Sequence, residues 1–106
     1  MDFKNKNILV YGMGVSGRGA ASMLHAMDLP AVLFDSNMDL DQEALIEKLG
    51  FEPEEIVTGE LTDLRLDHTD ILVLSPGVSA FAPDIERARA KGVTIIGEIE
   101  LAYQLS

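Results

Sequence analysis

Apolar residues fall along this chain in two alternating rhythms, short unbroken runs and stripes recurring every three to four positions. Ile8-Leu9-Val10-Tyr11 is the first run, the pattern of a strand covered on both faces in a parallel sheet. Behind it Gly17, Ala20, Ala21, Leu24 and Met27 form one small-residue stripe at helical spacing. Leu29-Pro30 breaks that helix, and Ala31 to Phe34 gives a second strand ending on Asp35. A short helix follows at Glu43 to Leu49, closed by Gly50. Ile56-Val57-Thr58-Gly59 reads as a third strand, and Glu60 to Asp67 as either a connecting turn or a brief helix. Asp70 to Leu74 is a clear fourth strand. Ala82-Pro83-Asp84 then opens a helix with Ile85, Ala88 and Arg89 on its inner face, and Gly92 ends it. Val93 to Ile96 is a fifth strand, and a last helix starts in the stretch Gly97 to Tyr103.

Strands alternating with helices predict a Rossmann-like α/β domain: an open parallel sheet of about five strands with helices on both faces. Right-handed crossovers give the strand order 3-2-1-4-5. The switch point then lies between the first and fourth strands, so Gly12 to Gly17 and Ser75 to Ser79 face each other across one crevice.

Three glycines after the first strand each relieve a different steric problem. Gly12 allows a tight turn, Gly14 lets a phosphate approach bare backbone, and Gly17 lets the helix pack closely. Free N–H groups and the positive helix end converge at Val15 and Ser16, which suits a diphosphate. Asp35 follows Gly17 by eighteen residues, near where a dinucleotide-binding unit places the acid for a ribose hydroxyl. It also suits a plain turn cap. Ser75-Pro76-Gly77 is a tight turn whose glycine serves either a positive φ or the close approach of a ligand. Arg18, in the first turn of the helix, either meets a phosphate or is simply solvated.

Bulk properties narrow the classes. The 106 residues suit one domain, and 47 % apolar with 25 % charged residues is ordinary globular composition. No apolar run is long enough to cross a membrane and the N-terminus carries no export pattern, so a cytoplasmic module with no membrane partner is expected. The absence of cysteine removes disulfides, thiolate metal sites and cysteine nucleophiles. A net charge of −10 argues against nucleic acid, and also requires that any diphosphate be held by local N–H groups against the global field. His25 and His68 lack partners at metal-ligand spacing and read as surface residues. No metal site, nucleophilic triad or GxxxxGK[ST] loop is present, so no catalytic residue is assigned.

Taken together, Gly12-Met-Gly-Val-Ser-Gly17, Asp35, Leu74-Ser-Pro-Gly-Val78 and Ala90-Lys-Gly-Val-Thr-Ile-Ile-Gly-Glu-Ile-Glu-Leu101 resemble the N-terminal domain of the Mur ligases, of the MurD type that adds D-glutamate. The resemblance covers nearly the whole chain. It implies that residues 1–106 are a single N-terminal domain holding the UDP part of UDP-N-acetylmuramoyl-L-alanine, without the central ATPase and C-terminal domains. By the same resemblance the parent ligase uses ATP and Mg2+, activates the substrate carboxylate as an acyl phosphate and forms an amide with D-glutamate in peptidoglycan precursor synthesis. The fragment itself is expected to need no cofactor and to be inactive alone. Carried over by position, Val15 and Ser16 meet the diphosphate through backbone N–H and hydroxyl groups, with Gly14 and Gly17 in the same UDP site. Asp35, Ser36 and Asn37 line the uracil pocket, and Ser75, Pro76 and Gly77 lie against the diphosphate or sugar. Some members carry an arginine where Asn37 stands, so a cationic contact to uracil is not implied. A stand-alone regulatory domain binding NAD or a related nucleotide is the alternative. Oligomeric state is not legible.

Overall fold

The computed structural model describes residues 1–106. Its elements alternate strictly: β1 (Ile8–Tyr11), α1 (Val15–Ala26), β2 (Ala31–Asp35), α2 (Gln42–Leu49), β3 (Glu55–Thr58), α3 (Asp63–Asp67), β4 (Ile71–Leu74), α4 (Pro83–Ala90), β5 (Thr94–Gly97) and α5 (Glu98–Leu105). All four strand pairings are parallel and the order is β3-β2-β1-β4-β5, as the crossover argument predicts.

The central strands are buried on both faces because each is an almost unbroken apolar run, β2 ending on Asp35 at the sheet edge. Ile8, Val10, Ala31, Leu33, Ile71 and Val73 point into one layer, filled by Ala20, Ala21 and Leu24 of α1, Leu45 of α2 and Leu101 of α5. Leu9, Phe34, Leu72 and Leu74 point into the other, filled by Leu61, by Leu66 of α3 and by Ile85 and Ala88 of α4. Successive side chains on a strand point to opposite faces, so one unbroken apolar run feeds both cores.

Several boundaries differ from the sequence reading. The third and fifth strands are Glu55–Thr58 and Thr94–Gly97, one residue off in opposite directions, because pairing with Val32 and Ile71 fixes the ladder rather than apolarity. The acid-leucine stretch contains a brief helix, α3, capped by the Thr62 hydroxyl, which accepts from Arg65 N–H at 3.1 Å. Met27 does not join the α1 stripe: the helix ends at Ala26 and Met27 is 52 % exposed. Arg89 is outside too, pairing with Glu86 at 2.6 Å, while Arg87 turns toward the body of the domain.

Close packing at the start of α1 sets the tightest constraint in the molecule. A Cβ on Gly17 would stand 1.6 Å from the carbonyl oxygen of Gly12, whereas one on Gly14 would meet nothing within 4 Å. Gly12 itself sits at φ +100°, where side chains are strained. Gly17→Ala is therefore expected to destabilise the fold by about 2–3 kcal/mol, and Gly14→Ala by under about 1 kcal/mol. Chemical denaturation of the two variants side by side measures the contrast.

Candidate functional site

Parallel strands deliver all their outgoing turns to one edge, and here that edge gathers the glycine turn, the Asp35 turn and the Ser75 turn. The glycine turn is pinned to β2 by two main-chain donors. Gly12 N–H donates to Phe34 O at 2.7 Å, and Met13 N–H donates to Asp35 Oδ2 at 2.9 Å. The other Asp35 oxygen accepts Asn37 N–H at 2.9 Å. Asp35 thus caps its own turn, one of the two roles open from the sequence, and also tethers the glycine turn. A carboxylate offers about four acceptor positions, so the half-buried Asp35 still has capacity for a ligand donor.

On the other flank, the Ser75 hydroxyl donates to Tyr11 O at 3.2 Å, joining the tip of β4 to that of β1. Val78 N–H donates to Ser75 O at 3.0 Å and closes a β-turn with Pro76 and Gly77 at its centre. Gly77 does not use a positive φ, and a Cβ placed there would meet nothing within 4 Å. Of the two reasons for a glycine, the conformational one drops out and open access is what the geometry provides.

The start of α1 differs electrostatically from every other helix start. The α2 and α3 helices are capped by the Asp41 and Thr62 side chains, and α2, α3, α4 and α5 each carry at least one acid in the first turn. At α1 the N-cap is Gly14, which has no side chain, and the first turn holds no acid. The amides of Val15, Ser16 and Gly17 and the positive helix end therefore meet no compensating side chain. In a chain of net charge −10 this is the one helix start with neither a capping side chain nor an acid in its first turn. Arg18 Nη1 donates to Met13 O at 3.1 Å and so braces the turn.

Gly12 to Gly17, Asp35 and Ser75 are thus brought into direct contact. Ser36, Asn37, Pro76 and Gly77 are exposed on the flanking turns and make no hydrogen bond to the glycine turn. Asn37 Oδ1 is occupied, accepting Asp39 N–H at 3.0 Å.

A polar cluster beside this edge was not anticipated. The Tyr11 hydroxyl donates to Asp84 Oδ2 at 2.6 Å, and Arg87 Nη2 donates to Asp84 Oδ1 at 2.6 Å and to Leu61 O at 2.6 Å. Arg87 Nη1 reaches Asp63 Oδ1 at 2.8 Å. Burial, then the hydrogen bond to Asp84 and its negative charge, hold the Tyr11 phenol protonated well above its usual range. The bonds to Asp84 and Asp63 likewise strengthen the protonated state of Arg87. The available signal was the Asp84–Arg87 pair at i, i+3 and a tyrosine, with its polar tip, ending a strand.

The opposite edge of the sheet holds recesses of about 630 Å³ beneath the N-terminal segment and about 330 Å³ beside the end of α1. In the smaller one the exposed His25 ring stacks on Phe51, with centroids 3.9 Å apart and planes 1° from parallel. His68 is exposed as well, its Nδ1 2.9 Å from Leu64 O.

Comparison with known proteins places the chain in a family. Residues 6–97 match the family model described as Mur ligase MurD-like, N-terminal domain. The chain is 41 % identical over 103 residues to UDP-N-acetylmuramoylalanine--D-glutamate ligase of Lachnospira eligens, covering 97 % of this chain and 23 % of that protein. The enzymes of the same name from Alkaliphilus metalliredigens and Staphylococcus saprophyticus are 37 % and 38 % identical, over 100 % and 97 % of this chain and 24 % and 23 % of theirs. The chain spans about a quarter of the length of these relatives. A lactate dehydrogenase from a Medee basin deep-sea metagenome library superposes with a TM-score of 0.49 at 16 % identity, covering 96 % of this chain and 42 % of that one.

The phenol of Tyr11 has a pH consequence. Its pKa in the fold lies above the 10.0 of a free tyrosine, so its contribution is complete below pH 10 and declines above it, where the unfolded chain ionises first. The melting temperature of the wild type is expected to fall between pH 9 and about pH 12 more steeply than that of Tyr11→Phe. Parallel melting curves across that range provide the check.

Proposed function

Because the chain belongs to the Mur ligase MurD-like N-terminal domain family, we propose that its glycine edge anchors the UDP moiety of UDP-N-acetylmuramoyl-L-alanine for a D-glutamate-adding ligase. The observation that carries this reading is the start of α1, where uncapped amides meet no acid. A diphosphate there accepts from the N–H groups of Val15, Ser16 and Gly17 and sits on the positive helix end. Gly14, with nothing near its missing side chain, leaves room for close approach.

Asp35, Ser36 and Asn37 flank that position and receive the uracil, with Asp35 accepting from the base through its remaining lone pairs. Ser75, Pro76 and Gly77 bound the other side against the diphosphate or sugar. The domain is residues 1–106, and the remainder of a full-length ligase, about three quarters of the relatives' length, supplies the central and C-terminal domains. This chain is read as the part of the ligase that does not carry the ATP site. It has no GxxxxGK[ST] loop. ATP and Mg2+ are assigned to the rest of the parent enzyme, which works in peptidoglycan precursor synthesis in the cytoplasm. The isolated chain binds without turnover.

Calorimetric titration of the 106-residue chain with UDP-N-acetylmuramoyl-L-alanine and with NADH discriminates the substrate anchor from a nicotinamide-nucleotide regulator. Tighter binding of the UDP-sugar is expected; preference for NADH overturns the proposal. In the same assay Gly14→Val is expected to remain folded and to lose at least about tenfold in UDP-sugar affinity, since a branched side chain would fill the phosphate approach. Unchanged affinity would remove Gly14 from the site.

A further inference from the structure

Tyr11 stands one residue before the glycine turn and touches each of the segments that bound the crevice. Its carbonyl accepts the Ser75 hydroxyl at 3.2 Å, which fixes the beginning of the loop from Ser75 to Ala82. Its own hydroxyl donates to Asp84 Oδ2 at 2.6 Å, in the first turn of α4, which fixes where that loop ends. Its ring packs on Phe34, the residue before Asp35, with centroids 4.9 Å apart. Arg87 braces Asp84 from behind through Leu61 O and Asp63.

Between its two ends the loop has little of its own to hold it. Within it, Val78 N–H donates to Ser75 O, Ala82 N–H to Ser79 O and Phe81 N–H to Ser79 Oγ. From outside, Arg89 Nη2 reaches Ala80 O. Pro76, Gly77, Ser79, Ala80 and Phe81 are exposed. A segment with few internal bonds takes its position from its anchors. Val78 and Ala82 pack on the second core and α4 is seated by Ile85 and Ala88, and Tyr11 supplies a hydrogen bond at each end, to Ser75 and to Asp84.

We infer that Tyr11 is a positioning residue for the nucleotide crevice, setting through Asp84 the distance between the Ser75–Ala82 loop and the Gly12–Gly17 turn. The inference rests on the proposal that this crevice holds UDP. The bond from phenol to carboxylate is charge-assisted and short, and its donor is mounted at the end of a buried strand. Losing it loosens the loop at the end where it enters α4, leaving the packing of Ile85 and Ala88 to hold that end. UDP would then bear the cost of ordering that end at each binding event.

The test uses the 106-residue chain, UDP as probe, and native-state hydrogen exchange. Tyr11→Phe is expected to weaken UDP binding about fivefold to tenfold and to speed exchange of the Val78 and Ala82 amides about tenfold, while Val10 and Val73 exchange as before. Asp84→Ala, which also removes the Arg87 contact, should weaken binding at least as much, and adding Tyr11→Phe to it should cost nothing further, because the bond to the phenol is already gone. Asp84→Asn, which keeps a partner for the hydroxyl, should recover most of the affinity. A purely structural strut would lower the melting temperature without the loop-specific exchange. The inference is overturned if Tyr11→Phe binds UDP within twofold of wild type, if the loop amides keep their exchange rates, or if the two losses add. Failure of the wild type to bind UDP refutes the proposed ligand instead, and the exchange contrast then still decides whether Tyr11 orders the loop.

Discussion

The packing of α1 against the glycine turn is the contact on which the arrangement of the edge depends. The first turn of that helix lies so close to the Gly12 carbonyl that any side chain at Gly17 would overlap it. That proximity aims the helix start at the crevice and brings Ala20, Ala21 and Leu24 onto the sheet. Small residues along the helix serve both ends of the requirement: they allow the close approach at the turn and then fill the narrow layer it creates. The site and the larger core are consequences of one close approach.

Charge is distributed so that one helix start stays free of acids in an otherwise acidic chain. Acids sit in the first turns of four of the five helices, where they stabilise the local dipole and neutralise it toward solvent. The omission of an acid from α1 is therefore a local decision against the trend of the whole composition. Interactions at hydrogen-bond range outweigh a repulsive field that salt screens within about 8 Å.

Much of this was legible in the sequence, for identifiable reasons. Strand order followed from alternating elements and crossover handedness, and the glycine turn was readable because its spacing answers local sterics. What was not legible depends on residues far apart in the chain. Asp35 as a tether needs Met13 beside it, and Tyr11 as an anchor needs Asp84, seventy-three residues away. Arg89 was placed inward by helical spacing from Ile85, yet Arg87 has the carboxylates of Asp84 and Asp63 to meet, and Arg89 does not. Met27 lay on the right helical face but beyond the last turn. Periodicity reports which face is apolar; it does not report where a helix stops or which polar partners a fold brings near.

The glycine turn presents main-chain amides where most binding sites present side chains, and this has a bearing on how such a domain records its own history. An amide is common to nearly every residue, so Val15 and Ser16 are free to drift while the groups that would touch a phosphate stay the same. The residues that cannot drift are those that shape the backbone from a distance, Gly12 and Gly17 foremost. Mutational scanning of this edge would register the scaffold loudly and the contact positions faintly, and a reader who ranked residues by sensitivity alone would mistake the mould for the hand.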